Sequence, residues 1–369
     1  MKIAIFHNLP PGGAKRILYE ELKILTNRHE LHLFEYSSTD EKFMDISAFC
    51  KNVTRYPFEI NSNSNRLVRD YNSLVKARGI SKAIAKEIDL QDFDVCFVHP
   101  DKYTQSPFVL RYLNTPKVYF CEELLRAVYE GILKFKANVG LFKRLYENST
   151  RVIKKEIDRN NAQSADAIFV ASDYIGKKVK EAYGKIAQVC PFGVDSDVFK
   201  NRGERKLSQV LFIGDPEDVT TGFGLAEKCV ELINEEIRPN IKVISFSKGK
   251  PKLTDSDLAK QYSSSIVALC TSYNEPFGLI PLESMACETP VLAVNGGGYK
   301  ETILHRKTGY LLERNENKFA EKIEYLIRNP RARRRIGEAG RKHVKMNYNW
   351  AKHCNMIEAH LEDVANEKS

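Results

Sequence analysis

Short apolar runs alternate with helix-length amphipathic stretches along this chain, and that rhythm restarts once, which restricts the fold more than any other feature. Residues 2–6 read as a buried strand, and 7–13 as a loop carrying Pro10, Pro11, Gly12 and Gly13. Between residues 14 and 27, Ile17, Leu18, Leu22 and Leu25 recur at helical spacing, and 31–34 reads as a second strand. The polar NSNSN run at 61–65 reads as an exposed loop before a helical pattern over 67–88. Further strands are expected at 93–98, 117–120 and 167–170, with helical patterns before or between them. After Pro191-Phe192-Gly193-Val194-Asp195 a second series begins, with strands at 209–213, 242–246, 266–270 and 291–294. The expected fold is α/β: two doubly wound Rossmann-like domains facing a cleft. The expected division is 1–194, 195–345, and a C-terminal helix over 346–369 packing back toward the first domain.

At 369 residues and 43% hydrophobic content, the chain can build about two cores. Its 28% charged and 10% aromatic residues exclude a fibrous or disordered design. The eight cysteines form no CxxC pair and no close Cys/His cluster, and several sit inside apolar runs, as buried thiols in a reducing compartment would. The N-terminal apolar run stops at His7, too short for a signal peptide or a membrane span, so a cytoplasmic protein is expected. Net charge is +9, from 57 basic against 48 acidic residues. The basic residues are not interleaved with aromatics in a nucleic-acid motif, so no nucleic-acid partner is expected. The stretch from Gly131 to Arg159 mixes apolar residues with many lysines and arginines. It reads as a solvated helical face or as an attachment to the inner face of an anionic membrane.

The stretch 271–301, TSYNEPFGLIPLESMACETPVLAVNGGGYKE, carries the chemistry. It follows a strand, so it lies at the carboxyl edge of a sheet, where ligands bind in doubly wound folds. Glu275 to Gly278 belong to the loop, and Glu283 to the helix that follows. That helix start offers unpaired amides and a positive dipole end to a phosphate, and Gly278 permits close backbone approach. Gly296, Gly297 and Gly298 form a second loop able to present amides to the same anion. Carboxylates beside a phosphate repel it, so Glu275 and Glu283 are expected to accept hydrogen bonds from the hydroxyls of a sugar.

Here the sequence resembles the retaining nucleotide-sugar glycosyltransferases of family four, which have the GT-B fold. Glu275, Phe277, Gly278 and Glu283 are similar to the family's Glu, seven residues, Glu motif, and Gly297, Gly298 and Glu301 follow in order. Gly12-Gly13-Ala14, Gly193-Val194-Asp195 and Thr308-Gly309 extend the resemblance over nearly the whole chain. It implies that Glu275, the catalytic candidate, holds hydroxyls of the donor sugar and that Glu283 holds those of the ribose. Phe277 and Gly278 would offer amides near the sugar and phosphates, and Gly12 and Gly13 would approach the diphosphate. It implies a hexosyltransferase with a nucleotide-sugar co-substrate, no cofactor, and a glycan or lipid-linked acceptor. Its reaction is a front-face displacement that needs no protein nucleophile. For Glu283 the bland alternative is a surface helix residue.

The chain departs from the family at two places. FIGDPEDVTTGFG puts Asp215 and Thr221 where an arginine and a lysine usually face the diphosphate, and Lys15, Arg16, Lys248 and Lys250 are the candidate substitutes. The strand at 117–120 is followed by Cys121-Glu122-Glu123 rather than by a histidine. His99 is then the remaining catalytic candidate in the first domain, touching the donor or only capping a loop, and Glu122 and Arg126 share its region. Three Asp-x-Asp pairs, at 92/94, 195/197 and 255/257, are too scattered to argue for a metal, and none is expected; the last pair caps a helix. A nucleotide-sugar epimerase, or a catalytically degenerate scaffold or binding protein on the same fold, stays open beside the transferase. A dehydrogenase does not fit, because NLPPGGAKR lacks GxGxxG.

Overall fold

The computed structural model describes residues 1–39, 44–61, 63–130, 140–246 and 253–367. The chain divides into two units: Met1–Cys190 with Cys354–Ser369, and Pro191–His353.

The first unit contains β1 (Lys2–Asn8), α1 (Gly13–Leu25), β2 (Glu30–Tyr36), β3 (Asn52–Tyr56), α2 (Arg66–Tyr71), α3 (Ala77–Asp89), β4 (Val95–Asp101), β5 (Lys117–Phe120), α4 (Arg126–Tyr129), α5 (Leu141–Gln163), β6 (Ala167–Val170), α6 (Asp173–Tyr183) and β7 (Gln188–Val189). Its strands form one parallel sheet in the order β3-β2-β1-β4-β5-β6-β7. Ile3, Ala4, Ile5 and Phe6 are buried without interruption, because helices cover both faces of a parallel sheet. The strand order reverses between β1 and β4. There Asn8 donates its side-chain amide to Asp101 at 2.6 Å, joining the carboxyl ends of the two strands.

The second unit contains β8 (Gln209–Ile213), α7 (Phe223–Glu231), β9 (Asn240–Ile244), α8 (Asp255–Ser264), β10 (Val267–Cys270), α9 (Leu279–Ala286), β11 (Val291–Val294), α10 (Tyr299–Thr302), β12 (Gly309–Leu312), α11 (Glu316–Arg328) and α12 (Pro330–Asn347). Its five strands are also parallel, in the order β12-β11-β10-β8-β9. Here the order reverses between β8 and β10, so the loops leaving these two strands flank the place where such sheets hold ligands. The last helix, α13 (Trp350–Asn366), leaves the second unit and ends in the first, where Glu358 accepts from Arg28 at 2.5 Å and lies 2.8 Å from the His29 ring.

The two sheets are those of the expected fold, with three strands more than the sequence reading supplied: β3, β7 and β12. The helical pattern over 67–88 is a continuous run in which a π-helical segment, Asn72–Lys76, separates α2 from α3. No disulfide joins any of the eight cysteines, and seven of them are buried.

Candidate functional site

Four loops leave the carboxyl ends of the second unit's strands and are tied to one another. From the loop after β8, the Thr220 carbonyl accepts from the Tyr273 amide at 2.8 Å, and the Thr221 carbonyl accepts from the Thr271 hydroxyl at 3.2 Å. Arg314, just beyond β12, donates to the Thr271 carbonyl at 2.7 Å and the Ser272 carbonyl at 3.1 Å. Its guanidinium lies 3.5 Å from the centre of the Tyr273 ring. From the loop after β11, the Gly298 amide donates to the Glu275 carbonyl at 2.8 Å. The backbone carrying Glu275 is therefore held from both sides.

The glycines after β11 make that clamp possible. A Cβ on Gly297 would stand 2.5 Å from the Glu275 carbonyl oxygen, and one on Gly298 would stand 2.5 Å from the Phe277 Cα and the Pro276 oxygen. No side chain fits there without moving one loop. The expectation that the segment presents its amides to an anion does not hold at Gly298, which donates to Glu275, or at Gly296, which donates to the Val294 carbonyl at 2.8 Å. Gly297 and Gly298 support the loop that carries Glu275.

Gly278 has φ 103°, a left-handed conformation that suits glycine, and it caps the start of α9. No side chain caps this end and no acid occupies its first turn, so the positive end of the helix dipole is undiluted by a carboxylate. Phe277 is buried against Phe192 (ring centres 5.2 Å apart) and Tyr348 (6.0 Å), which anchors the loop from beneath. Glu275 is half-buried.

Glu283 is not a surface residue. It is 5% exposed and accepts a 2.8 Å hydrogen bond from the Tyr262 hydroxyl on α8. Burial, and the neighbouring Glu283, push the Tyr262 phenol well above its usual range, so the hydroxyl stays a donor. Burial, together with Glu275 and Glu283, likewise keeps the Cys270 thiol protonated. Tyr262, Tyr273 and Arg314 are the residues that sequence reasoning missed. The placement of Arg314 two residues beyond an apolar strand was the one available signal.

Asp215 and Thr221 are committed to the turn after β8. The Asp215 carboxylate accepts from the Glu217 amide at 3.0 Å, and the Thr221 hydroxyl donates to the carbonyls of Asp218 (2.7 Å) and Asp215 (2.9 Å). Of the expected substitute cations, Lys248 and Lys250 lie outside the described residues. Lys15 is fully buried, on the face of α1 that also carries Leu18, Leu22 and Leu25. Arg16, next to it, is half-buried. Gly12 and Gly13 open α1, and a Cβ on either would have no atom within 4 Å.

His99 is enclosed within the first unit by Phe97 (ring centres 4.5 Å apart), Phe120 (5.8 Å, stacked) and the Glu21 carboxylate at 3.3 Å. With no exposed surface, its ring helps to order the carboxyl end of β4. A similar buried pair, His7 and Glu35 at 3.3 Å, lies on β1 and β2; burial holds His7 below its usual range and hence neutral. Arg126 pairs with Glu123 at 2.6 Å, and burial, with Glu21 and Glu123 nearby, pushes the Glu122 carboxyl well above its usual range. Thr254, and not either aspartate, caps α8: its hydroxyl accepts from the Asp257 amide at 3.1 Å and donates to the Asp257 carboxylate at 2.7 Å. Among the described residues, no group of three or more His, Cys, Asp or Glu side chains is arranged to hold a metal.

Residues 222–343, which contain Glu275, Glu283 and the glycines after β11, match the family described as glycosyl transferases group 1. The human alpha-1,3/1,6-mannosyltransferase ALG2 is 48% identical over 77 residues, 21% of this chain and 18% of that protein, so the match spans about a fifth of the relative. An uncharacterized glycosyltransferase of Methanocaldococcus jannaschii is 26% identical over 249 residues, 60% of this chain and 68% of that protein. Among solved structures, sucrose-phosphate synthase from Thermosynechococcus elongatus superposes with a TM-score of 0.75 at 15% identity, covering 99% of both chains. Anabaena HepE in complex with UDP superposes at 0.70 and 15% identity, over 98% of this chain and 100% of that one. These neighbours have the GT-B fold.

Proposed function

We propose, from the group 1 match at residues 222–343, that this chain is a glycosyltransferase of the family-four type and that it moves a hexosyl group from a nucleoside-diphosphate sugar to a glycan or lipid-linked acceptor hydroxyl, with retention at the anomeric carbon. The observation that carries the reading is the loop of Glu275 to Gly278. Its backbone is clamped by Gly297 and Gly298 and runs into the open amides at the start of α9, so one short segment offers hydroxyl acceptors and phosphate donors side by side. The solved complex of HepE with UDP supports a nucleotide donor.

In this reading Glu275 accepts hydrogen bonds from the sugar hydroxyls, and Glu283, oriented by the Tyr262 hydroxyl, accepts from those of the ribose. The start of α9 takes negative charge from the diphosphate as the anomeric carbon–oxygen bond breaks. The new bond forms from the acceptor oxygen on the same face, and the acceptor proton passes to the departing phosphate oxygen. No side chain acts as nucleophile, so catalysis rests on positioning and on charge stabilisation.

Asp215 and Thr221 support a second reading, a protein that binds nucleotide sugar without turnover, because they stand where cations would steady the leaving group. A panel of nucleoside-diphosphate sugars with and without glycan acceptors, read by nucleotide release and by the anomeric proton coupling of the product, separates the two. Acceptor-dependent release with retained configuration is expected. Binding without release would favour the second reading, and isomerised sugar without acceptor would indicate an epimerase.

A further inference from the structure

On the first unit, α2 and the N-terminal half of α5 are clamped side by side through Asp70, which accepts from the Tyr146 hydroxyl and the Lys154 ammonium, both at 2.8 Å. Arg66 reaches across to Glu147 at 2.5 Å. With their inner faces occupied in this way, both helices carry large apolar side chains outward. On α5, Phe142, Leu145 and Val152 follow one stripe at i, i+3 and i+10 and are 88%, 55% and 69% exposed. On α2 and the π-helical turn after it, Leu67, Tyr71 and Val75 repeat every four residues and are all more than half exposed. Scattered apolar side chains are ordinary on a surface, but a repeated stripe on each of two neighbouring helices is not.

The same helices are basic. Arg69 and Lys76 accompany the first stripe, and Lys143, Arg144 and Lys155 accompany the second. Between the helices and the turn after β4 lies a cavity of about 340 Å³ whose lining includes Arg66, Arg69, Lys102 and Lys154, with Asp70 as the one acid among its lining residues. An apolar stripe bordered by cations, beside a cationic cavity, is complementary to a bilayer whose surface is negatively charged: acyl chains take the stripe and anionic headgroups meet the cations. A protein partner would need acidic groups set around an apolar ridge, whereas an anionic membrane supplies that combination everywhere on its surface. Among the described residues no helix is long and apolar enough to cross a membrane, so the contact is a surface one. We propose that the outward face of α2 and α5 docks the protein onto an anionic lipid surface, with the basic cavity receiving a lipid headgroup phosphate.

Co-sedimentation of the full chain, without donor or acceptor, with phosphatidylcholine vesicles and with vesicles containing phosphatidylglycerol tests docking independently of catalysis. Binding to the anionic vesicles alone, weakened by salt, is expected. A Leu67→Ser/Phe142→Ser/Val152→Ser variant should lose about tenfold in bound fraction, and so should Arg144→Glu/Lys155→Glu, both with an unchanged melting temperature because all five positions are exposed. Equal binding to neutral vesicles, no binding to either, or retention by both variants would overturn the proposal. Inorganic phosphate that protects the chain thermally while vesicles fail to bind would assign the cavity to a soluble anion and also overturn it. So would a self-association, read by light scattering, that the serine variant abolishes.

Discussion

Tyr262 and Glu283 show how much a single hydrogen bond can decide. Replacing Tyr262 with phenylalanine removes the donor while leaving the buried Glu283 carboxylate in place, at a cost of about 1–3 kcal/mol. We expect Tyr262→Phe to lower the melting temperature and to weaken donor binding, measured by differential scanning fluorimetry and titration calorimetry. For Glu283→Ala we expect weaker donor binding; an unaltered affinity would remove the ribose role. Glu275 and Glu283 were legible from their spacing and their place after a strand. Tyr262 was not, because its partner lies 21 residues away and only the packing of α8 on α9 joins them.

At the scale of elements, the loops after β10 and β11 behave as one device. Gly298→Ala would drive a methyl group into the Phe277 backbone, and the relief of that clash, by moving the Glu275 loop, costs roughly 1–3 kcal/mol. Weaker donor affinity is therefore expected together with a lower melting temperature, whereas Gly13→Ala, in open space, should leave stability nearly unchanged. The long apolar strands were legible because burial on both faces leaves an unbroken hydrophobic run. β3 was missed because it is an edge strand built from Asn, Thr and Arg as well as Val and Tyr, and β7 has only two residues. The convergence of four loops on one edge depends on strand order, which periodicity does not encode.

For the whole molecule, the buried thiols set an alkaline limit. Burial pushes Cys190, Cys229 and Cys287 up to about 12, so the folded chain keeps protons that the unfolded chain releases near pH 9. Their contribution is complete below that value and is lost as pH climbs toward 12. Lys206 acts in the opposite sense: burial lowers it to about 8, which favours the folded state as pH rises, but it is one group against three. The melting temperature in reducing buffer should accordingly fall as pH rises above about 9; a rise would contradict the burial of these thiols.

The central claim is that the loop of Glu275 holds the sugar being transferred. Acceptor-dependent release of nucleoside diphosphate, compared between the native chain and Glu275→Ala once both are seen to melt alike, addresses it most directly. Release by the native chain and none above background from the variant is the predicted result. Equal release from both would contradict the account.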